Sequence, residues 1–414
     1  MKRFIHRTLV LILVLSTLAV AGLFAGPLVS GGLFLSWHGR FEPVDHDLPA
    51  SFRPLHRGHI DTSTGLYVRE DEDIVLPGTP PFVLRRTYRT EDRASRAFGI
   101  GASHNGEWYL YGDGQQFQWV ELILADGSRI HYDRTSSGTS FWNALYRHWQ
   151  TSGEFYGSRL AWNGREWLIR EYDGSLGRFL PCGPGGSRCA IVEWRDADGH
   201  YTRFNRDAKQ RLLSIEAGSQ RMTFEYDDKG RVSRIEDGAK HSIAYSYDRL
   251  GRLTTAKGSD GVVRRYDYDD QDRLTRIEEP GRVLENGYDS EGLCIRQRAR
   301  FTENGSSPDW QYTFDATYRT VDGRVVQTDI VESDSPPVRY VFTTKGLPAS
   351  ETYEPDSDKA VVLKYDRDTL TNRLTGLSVT CGSGRWRLLR TLPIPDEGVS
   401  VPRTQLLREC GIDQ

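Results

Sequence analysis

A chain of 414 residues is long enough to bury a sizeable core, and its 41 Gly, 20 Tyr and 10 Trp against only 2 Met favour strands and turns over helices. The net charge is −3 and the arginines are interleaved with Asp and Glu, so no field gathers nucleic acid, and nucleic-acid binding is excluded. No Gly-x-Ser-x-Gly elbow, His-Glu-x-x-His pair or phosphate loop occurs, which removes the commonest hydrolase, zincin and nucleotide-binding classes.

In chain order, residues 1–37 read as a membrane anchor or signal segment. Lys2, Arg3 and Arg7 precede an uncharged stretch from Thr8 to Trp37 that can span a hydrocarbon core as a helix. The positive flank keeps the N-terminus in the cytoplasm, which predicts a bacterial inner-membrane protein with its bulk in the periplasm. Ala19-Val20-Ala21 offers the alternative of a cleaved signal and a secreted or periplasmic product. Residues 38–58 form a linker with Pro43, Pro49 and Pro54. His56 and His59 have the spacing of a helical pair but lack a third ligand nearby, so no metal site is read there.

Residues 59–200 carry strand signals between turns. Pro77-Gly78, Asp126-Gly127, Asn163-Gly164, Asp173-Gly174 and Asp198-Gly199 each separate apolar alternations, the pattern of hairpins. Trp108, Trp119, Trp142, Trp149, Trp162, Trp167 and Trp194 crowd this region, as core aromatics or as platforms for a carbohydrate. Cys182 and Cys189 bracket a Gly-rich loop and can close a disulfide across a hairpin neck in an oxidising compartment, or remain free thiols.

Residues 201–295 repeat one phrase: Tyr226-Asp227-x-x-Gly230-Arg231, Tyr247-Asp248-x-x-Gly251-Arg252, Tyr268-Asp269-x-x-Asp272-Arg273 and Tyr288-Asp289-x-x-Gly292-Leu293. The starts are 21, 21 and 20 residues apart, the mark of a repeat architecture. Asp accepts N–H bonds entering a turn and Gly supplies the positive φ that closes it. A second turn lies halfway round each unit, for example at Asp237-Gly238 and Asp260-Gly261, so each unit holds two antiparallel strands. The carboxylates Asp267, Asp269, Asp270 and Asp272 are crowded enough for a hard cation, but they fall on a turn and are read as solvated turn residues.

Residues 296–391 hold degenerate copies, with Phe314-Asp315, Phe342-Thr-Thr-Lys-Gly346 and Tyr365-Asp366 as candidates, and 392–414 form a Pro-bearing tail. Cys294 falls where the repeat places a core residue, and Cys381 and Cys410 either pair or stay free.

The phrase Tyr-Asp-x-x-Gly-Arg-Leu at this spacing resembles the YD repeat of Rhs and teneurin-type proteins, and Asp61-Thr-Ser-Thr-Gly65 through Leu76-Pro77-Gly78 to Arg86-Thr-Tyr88 resembles the domain that precedes it in Rhs proteins. The resemblance implies repeats that wind into a β-shell around a C-terminal toxin released at an Asp-Pro motif. No Asp-Pro occurs in this sequence, which is therefore read as a short orphan member lacking that core motif and toxin. The expected fold is all-β: an antiparallel YD-repeat meander forming an open curved sheet or partial shell, preceded by a membrane helix. The expected function is a non-enzymatic exported β-scaffold for envelope or cell-surface contact or assembly, without cofactor. The alternatives are a remnant or accessory of a toxin-delivery system and an envelope glycan-acting enzyme. Expected partners are the membrane, through the N-terminal segment, and a protein at a sheet edge or a carbohydrate.

Overall fold

A computed structural model describes residues 55–391, except 57–58, 80, 113–117, 138–139, 141–142, 152–153, 182–188 and 302–311, together with residue 410. The expected membrane segment, nearly all of the linker and nearly all of the tail lie outside the described residues. Among the described residues no helix is long and apolar enough to cross a membrane, and every recorded strand pairing is antiparallel.

After a short pair, Leu55–His56 with Ile60–Asp61, comes a small three-stranded sheet, with Val68–Leu76 paired to Phe82–Arg89 and that strand to Ala102–His104. One large sheet then runs from Tyr109–Gly112 to Arg387–Thr391, each strand beside the next. Where the sequence predicts an open curved sheet or partial shell, the antiparallel sheet closes on itself through its pre-repeat strands. Strand Cys189–Arg195 divides its partners: Cys189 and Ala190 pair back to Leu110 and Tyr109, while Glu193, Trp194 and Arg195 pair onward to Arg203, Thr202 and Tyr201. The closing contact joins residues 79 apart, and it turns the pre-repeat strands into a barrel from which the repeats continue. Closure removes the edge that an open sheet would leave unpaired. The barrel interior is filled by Tyr132, Tyr146, Leu160, Trp167 and Phe179, all fully buried, as expected of a small ring whose lumen just accommodates side chains.

Each repeat is a hairpin whose alternation decides its faces. In Gln220–Tyr226, Met222 and Phe224 are buried while Arg221, Thr223 and Glu225 are exposed. The tyrosine of the motif sits at a one-residue bulge, with Tyr226 opposite Val232, Tyr247 opposite Leu253, Tyr268 opposite Leu274 and Tyr288 opposite Cys294. The turn that follows reverses on one residue of positive φ: Gly230 at 82°, Gly251 at 97°, Gly292 at 88° and, in the third copy, Asp272 at 62°. Asp reaches that region because its short polar side chain tolerates it, whereas a β-branched side chain does not. The small sheet lies on the inner face of the repeats, with Val68–Leu76 against Gln220–Tyr226 and Ser242–Tyr247.

A Cβ at Gly230 would meet nothing within 4 Å, so substitution there tests backbone strain alone. Gly230→Val is expected to cost about 1–2 kcal/mol and Gly230→Asn clearly less. Urea midpoints at constant slope check this; equal losses would show that φ does not decide the turn.

Candidate functional site

The sequence-singled residues assemble into one recurring joint between hairpins. Within a turn, the aspartate Oδ1 accepts backbone N–H bonds, from Lys229 at 3.0 Å and Arg231 at 2.8 Å in the first copy. Its Oδ2 accepts the Nε–H of the arginine four residues on, at 2.8 Å for Arg231, 2.6 Å for Arg252 and 2.7 Å for Arg273. Desolvation would raise the carboxyls of Asp227, Asp248 and Asp269, but the backbone N–H bonds from Arg231, Arg252 and Arg273, and after them the same arginines' side chains, hold all three below the usual carboxylate range.

The arginine then reaches the following hairpin. Neighbouring hairpins pair only from the third residue after each arginine: Arg234 faces Ala244 and Thr255 faces Arg265, while the first two residues of each strand face a gap. The guanidinium and the next tyrosine fill it. Arg231 stands 4.1 Å over the Tyr247 ring, Arg252 5.3 Å over Tyr268, and Arg273 5.0 Å over Tyr288. The tyrosine hydroxyl closes the joint by donating to the carbonyl just after the arginine, Tyr247 to Val232 at 2.5 Å and Tyr288 to Leu274 at 2.8 Å.

This geometry locates repeat positions that the sequence does not show. Arg206-Asp207 is an earlier copy: Asp207 pairs with Arg211 at 2.8 Å, Arg211 lies 4.9 Å over Tyr226, and Arg206 sits at the bulge and bonds the Ile191 carbonyl at 3.1 Å. After the fourth copy, the tyrosine position belongs to Tyr318 and not to Phe314. Tyr318 lies three residues beyond the last ladder pair, as Tyr247 does, and its hydroxyl donates to the Cys294 carbonyl at 2.7 Å. Near the end Arg367 replaces tyrosine at the bulge and bonds the Pro348 carbonyl at 3.1 Å, so the turn aspartate there is Asp368 and not Asp366.

Beneath the joints lies a buried ionic cluster between the small sheet and the repeats. Arg86 bonds Asp73 at 3.0 Å, Asp71 at 3.1 Å and the Tyr266 hydroxyl at 2.7 Å; Arg69 bonds Asp71 and reaches Glu279 at 2.8 Å. Tyr245 donates to Asp73 at 2.7 Å and Tyr266 to Asp71 at 2.8 Å. Burial would raise the Asp71 carboxyl, but Arg86 and then Arg69 outweigh it and hold it well below its usual range. Backbone groups complete the seam, with Val232 N–H donating to Ala97, Ile100 N–H to Gly251 and Cys294 N–H to Gly65.

The remaining polar candidates resolve into structure. His56 meets Glu332 at 3.2 Å and Tyr340, while the half-buried His59 ring lies against Tyr67, pushed down to about 4 by desolvation and then by Arg69 and Arg282. Of the four crowded carboxylates, Asp269 pairs with Arg273, Asp272 with Arg252 at 3.3 Å, and Asp267 lies 3.9 Å from Arg276. Asp196, Asp198 and His200 converge, but Asp196 bonds His200 through its N–H at 2.9 Å and its Nδ1 at 3.0 Å, which is the turn aspartate with His in place of Arg. His131 stands between Glu121 and Asp133; burial would lower it, but the hydrogen bonds to those carboxylates push it up to about 9, making it a cation at neutral pH and a poor base. Trp108 packs edge-to-face with Trp194 at 5.5 Å and Trp162 with Trp167 at 5.6 Å, and Trp142 lies outside the described residues. Cys189 is disulfide-bonded, and its expected partner Cys182 lies outside the described residues. Cys381 is joined to Cys410, and Cys294 is a buried free thiol pushed up to about 12 by burial.

Sequence reasoning missed Glu171. Its Oε1 is buried without a hydrogen-bond partner, and burial, then Glu154 and Asp173, push its carboxyl up to about 8. A carboxyl whose folded value lies above its unfolded one favours the folded state most below the unfolded pKa, and that contribution falls as pH rises towards 8. Glu171→Gln is therefore expected to raise the melting temperature at pH 8 relative to wild type and to leave it nearly unchanged at pH 4; calorimetry at the two pH values checks this.

A family described as Teneurin YD-shell matches residues 129–317, and a domain of unknown function (DUF6531) matches residues 57–132. A curated relative, the double-stranded DNA deaminase toxin A of Burkholderia cenocepacia (strain H111), is 23% identical over 274 residues, which cover 63% of this chain and 18% of that protein. Solved structures of TcdB2-TccC3-TEV and of the Photorhabdus luminescens Tc holotoxin pore are each 10% identical, with TM-scores of 0.34 and 0.32, and cover 77% of this chain. The chain spans about a fifth of their lengths, 22% and 20%.

Proposed function

The chain belongs to the Rhs/YD-repeat family, and on that premise we propose that it serves as a non-enzymatic, exported β-scaffold for contact or assembly at the cell envelope. The observation that carries the reading is the use to which the chemistry-bearing side chains are put. The buried arginines and carboxylates of the inner cluster pair with one another across the seam, and the turn aspartates are neutralised by their own arginines. Such groups hold hairpins in register and leave little to act on a substrate. The cystine joining Cys381 to Cys410 and the oxidised state of Cys189 support an oxidising compartment.

A second reading, an accessory of a toxin-delivery system, draws support from the deaminase-toxin relative. Deamination by the matched segment itself is disfavoured, because this sequence has no Cys-x-x-Cys pair of the kind that holds zinc in nucleobase deaminases.

Thiol counting in cells tests the exported scaffold. The chain has five cysteines, and after acid quench and denaturation one, Cys294, is expected to react with a maleimide–polyethylene glycol. Reaction of all five would place the protein in a reducing compartment and contradict export.

A further inference from the structure

Four consecutive turns carry an arginine four residues after the aspartate, at Arg211, Arg231, Arg252 and Arg273; the next turn carries Leu293. The capping aspartate and the crossing tyrosine that receive the arginine are kept, although the one-residue bulge of the tyrosine's strand has moved on to Thr320, opposite Val325. Asp289 still caps its turn through Oδ1, which accepts from Glu291 and Leu293 N–H at 2.9 Å each, and its Oδ2 has no partner among the described residues. Tyr318 still crosses to bond the Cys294 carbonyl. The ladder between the flanking strands still ends at Arg296 opposite Asp315, leaving Cys294 and Ile295 unpaired with the strand that carries Tyr318. With leucine in place of arginine, the gap that a guanidinium fills elsewhere is an open groove of about 600 Å³ lined by Asp289, Glu291, Leu293, Arg296, Asp315 and Tyr318. Three carboxylates against one guanidinium give its walls a charge of −2, and Arg296 is already engaged by Asp315 at 2.6 Å.

We propose that this groove receives an arginine from a partner polypeptide, an extended basic segment whose guanidinium takes the place filled from within the chain at the preceding turns. The requirement is for arginine and not simply for positive charge. At the sister joints the group bonds a carboxylate through Nε while its plane covers a tyrosine ring, and Arg252 and Arg273 also bond the Asp269 and Asp289 carbonyls at 2.8 and 3.0 Å. Lysine cannot make that combination. An extended segment fits because the groove lies between two strands whose ladder has stopped; the Cys294 N–H and carbonyl there are already taken by Gly65 and Tyr318, so the segment is held through its arginine side chain. The inference rests on the scaffold reading by naming the chemistry of its partner, and its test reads binding while the test of export reads thiols, so either can fail alone.

The experiment uses the full chain and a fluorescent pentapeptide, Thr-Val-Arg-Val-Thr, against the same peptide with citrulline in place of arginine, followed by anisotropy. Saturable binding of the arginine peptide is expected, weakened about tenfold or more by citrulline, since a charge-assisted bond is lost. Leu293→Arg fills the groove from within and should abolish binding while raising thermal stability. Asp289→Asn keeps the Oδ1 acceptor of the turn and should weaken binding about tenfold, whereas Asp228→Asn on an earlier turn should leave it unchanged. Equal binding of both peptides, or binding indifferent to Leu293→Arg and Asp289→Asn alike, would overturn the proposal. Dimerisation of the wild-type chain that Leu293→Arg abolishes would put a second copy in the groove and overturn the partner assignment.

Discussion

The guanidinium of one turn lying on the tyrosine of the next is the contact on which this sheet depends. A hairpin meander is held laterally by ladder hydrogen bonds, and here each ladder between hairpins stops before the motif turn. Without something in the resulting gap, unpaired backbone groups would face a void and the hairpins could splay. The motif supplies what is missing in order: aspartate folds the turn, positive φ closes it, arginine is fixed by the aspartate and laid on the neighbouring ring, and that tyrosine returns a hydroxyl to the carbonyl behind the arginine. The period near 21 residues is the length of chain needed to go out, return and meet the next joint.

The pre-repeat segment uses the same gaps from the inner side. Ala97, Gly65 and Tyr88 accept from the first N–H groups of the strands that begin at Val232, Cys294 and Leu274. The Arg69–Asp71–Arg86–Asp73 cluster then fixes which residue of the small sheet faces which hairpin. A buried ionic cluster contributes little net stability over apolar packing, yet any slip would leave a buried charge unpaired, so its effect falls on register.

Most of the fold could be read because its rule is local. Strand and turn alternate every few residues, and Asp-x-x-Gly announces most of the motif turns. Barrel closure could not, because the pairing of Cys189 with Leu110 joins residues 79 apart and shows no local cue. One copy was hidden and another misplaced by two residues for a chemical reason: arginine at 206 and 367 performs the tyrosine's hydrogen bond with a different group, so the letter changes while the geometry stays. Tyr318 was hidden by spacing, since it follows Tyr288 by 30 residues. The unfilled joint at Leu293 stood in the sequence as a broken repeat, but its meaning needed the knowledge that arginine reaches across to the next hairpin and does not merely end its own turn.

A double-mutant cycle on Arg231 and Tyr247 tests the central claim most directly, because this pair has the shortest stacking distance of the series, 4.1 Å. Urea unfolding of Arg231→Ala, Tyr247→Leu and the double variant would give the coupling between the two side chains. The account predicts a favourable coupling of about 1–2 kcal/mol, because each partner has lost its function once the other is gone. Additive losses, with coupling below about 0.3 kcal/mol, would show that the hairpins are held by their ladders alone and would contradict it.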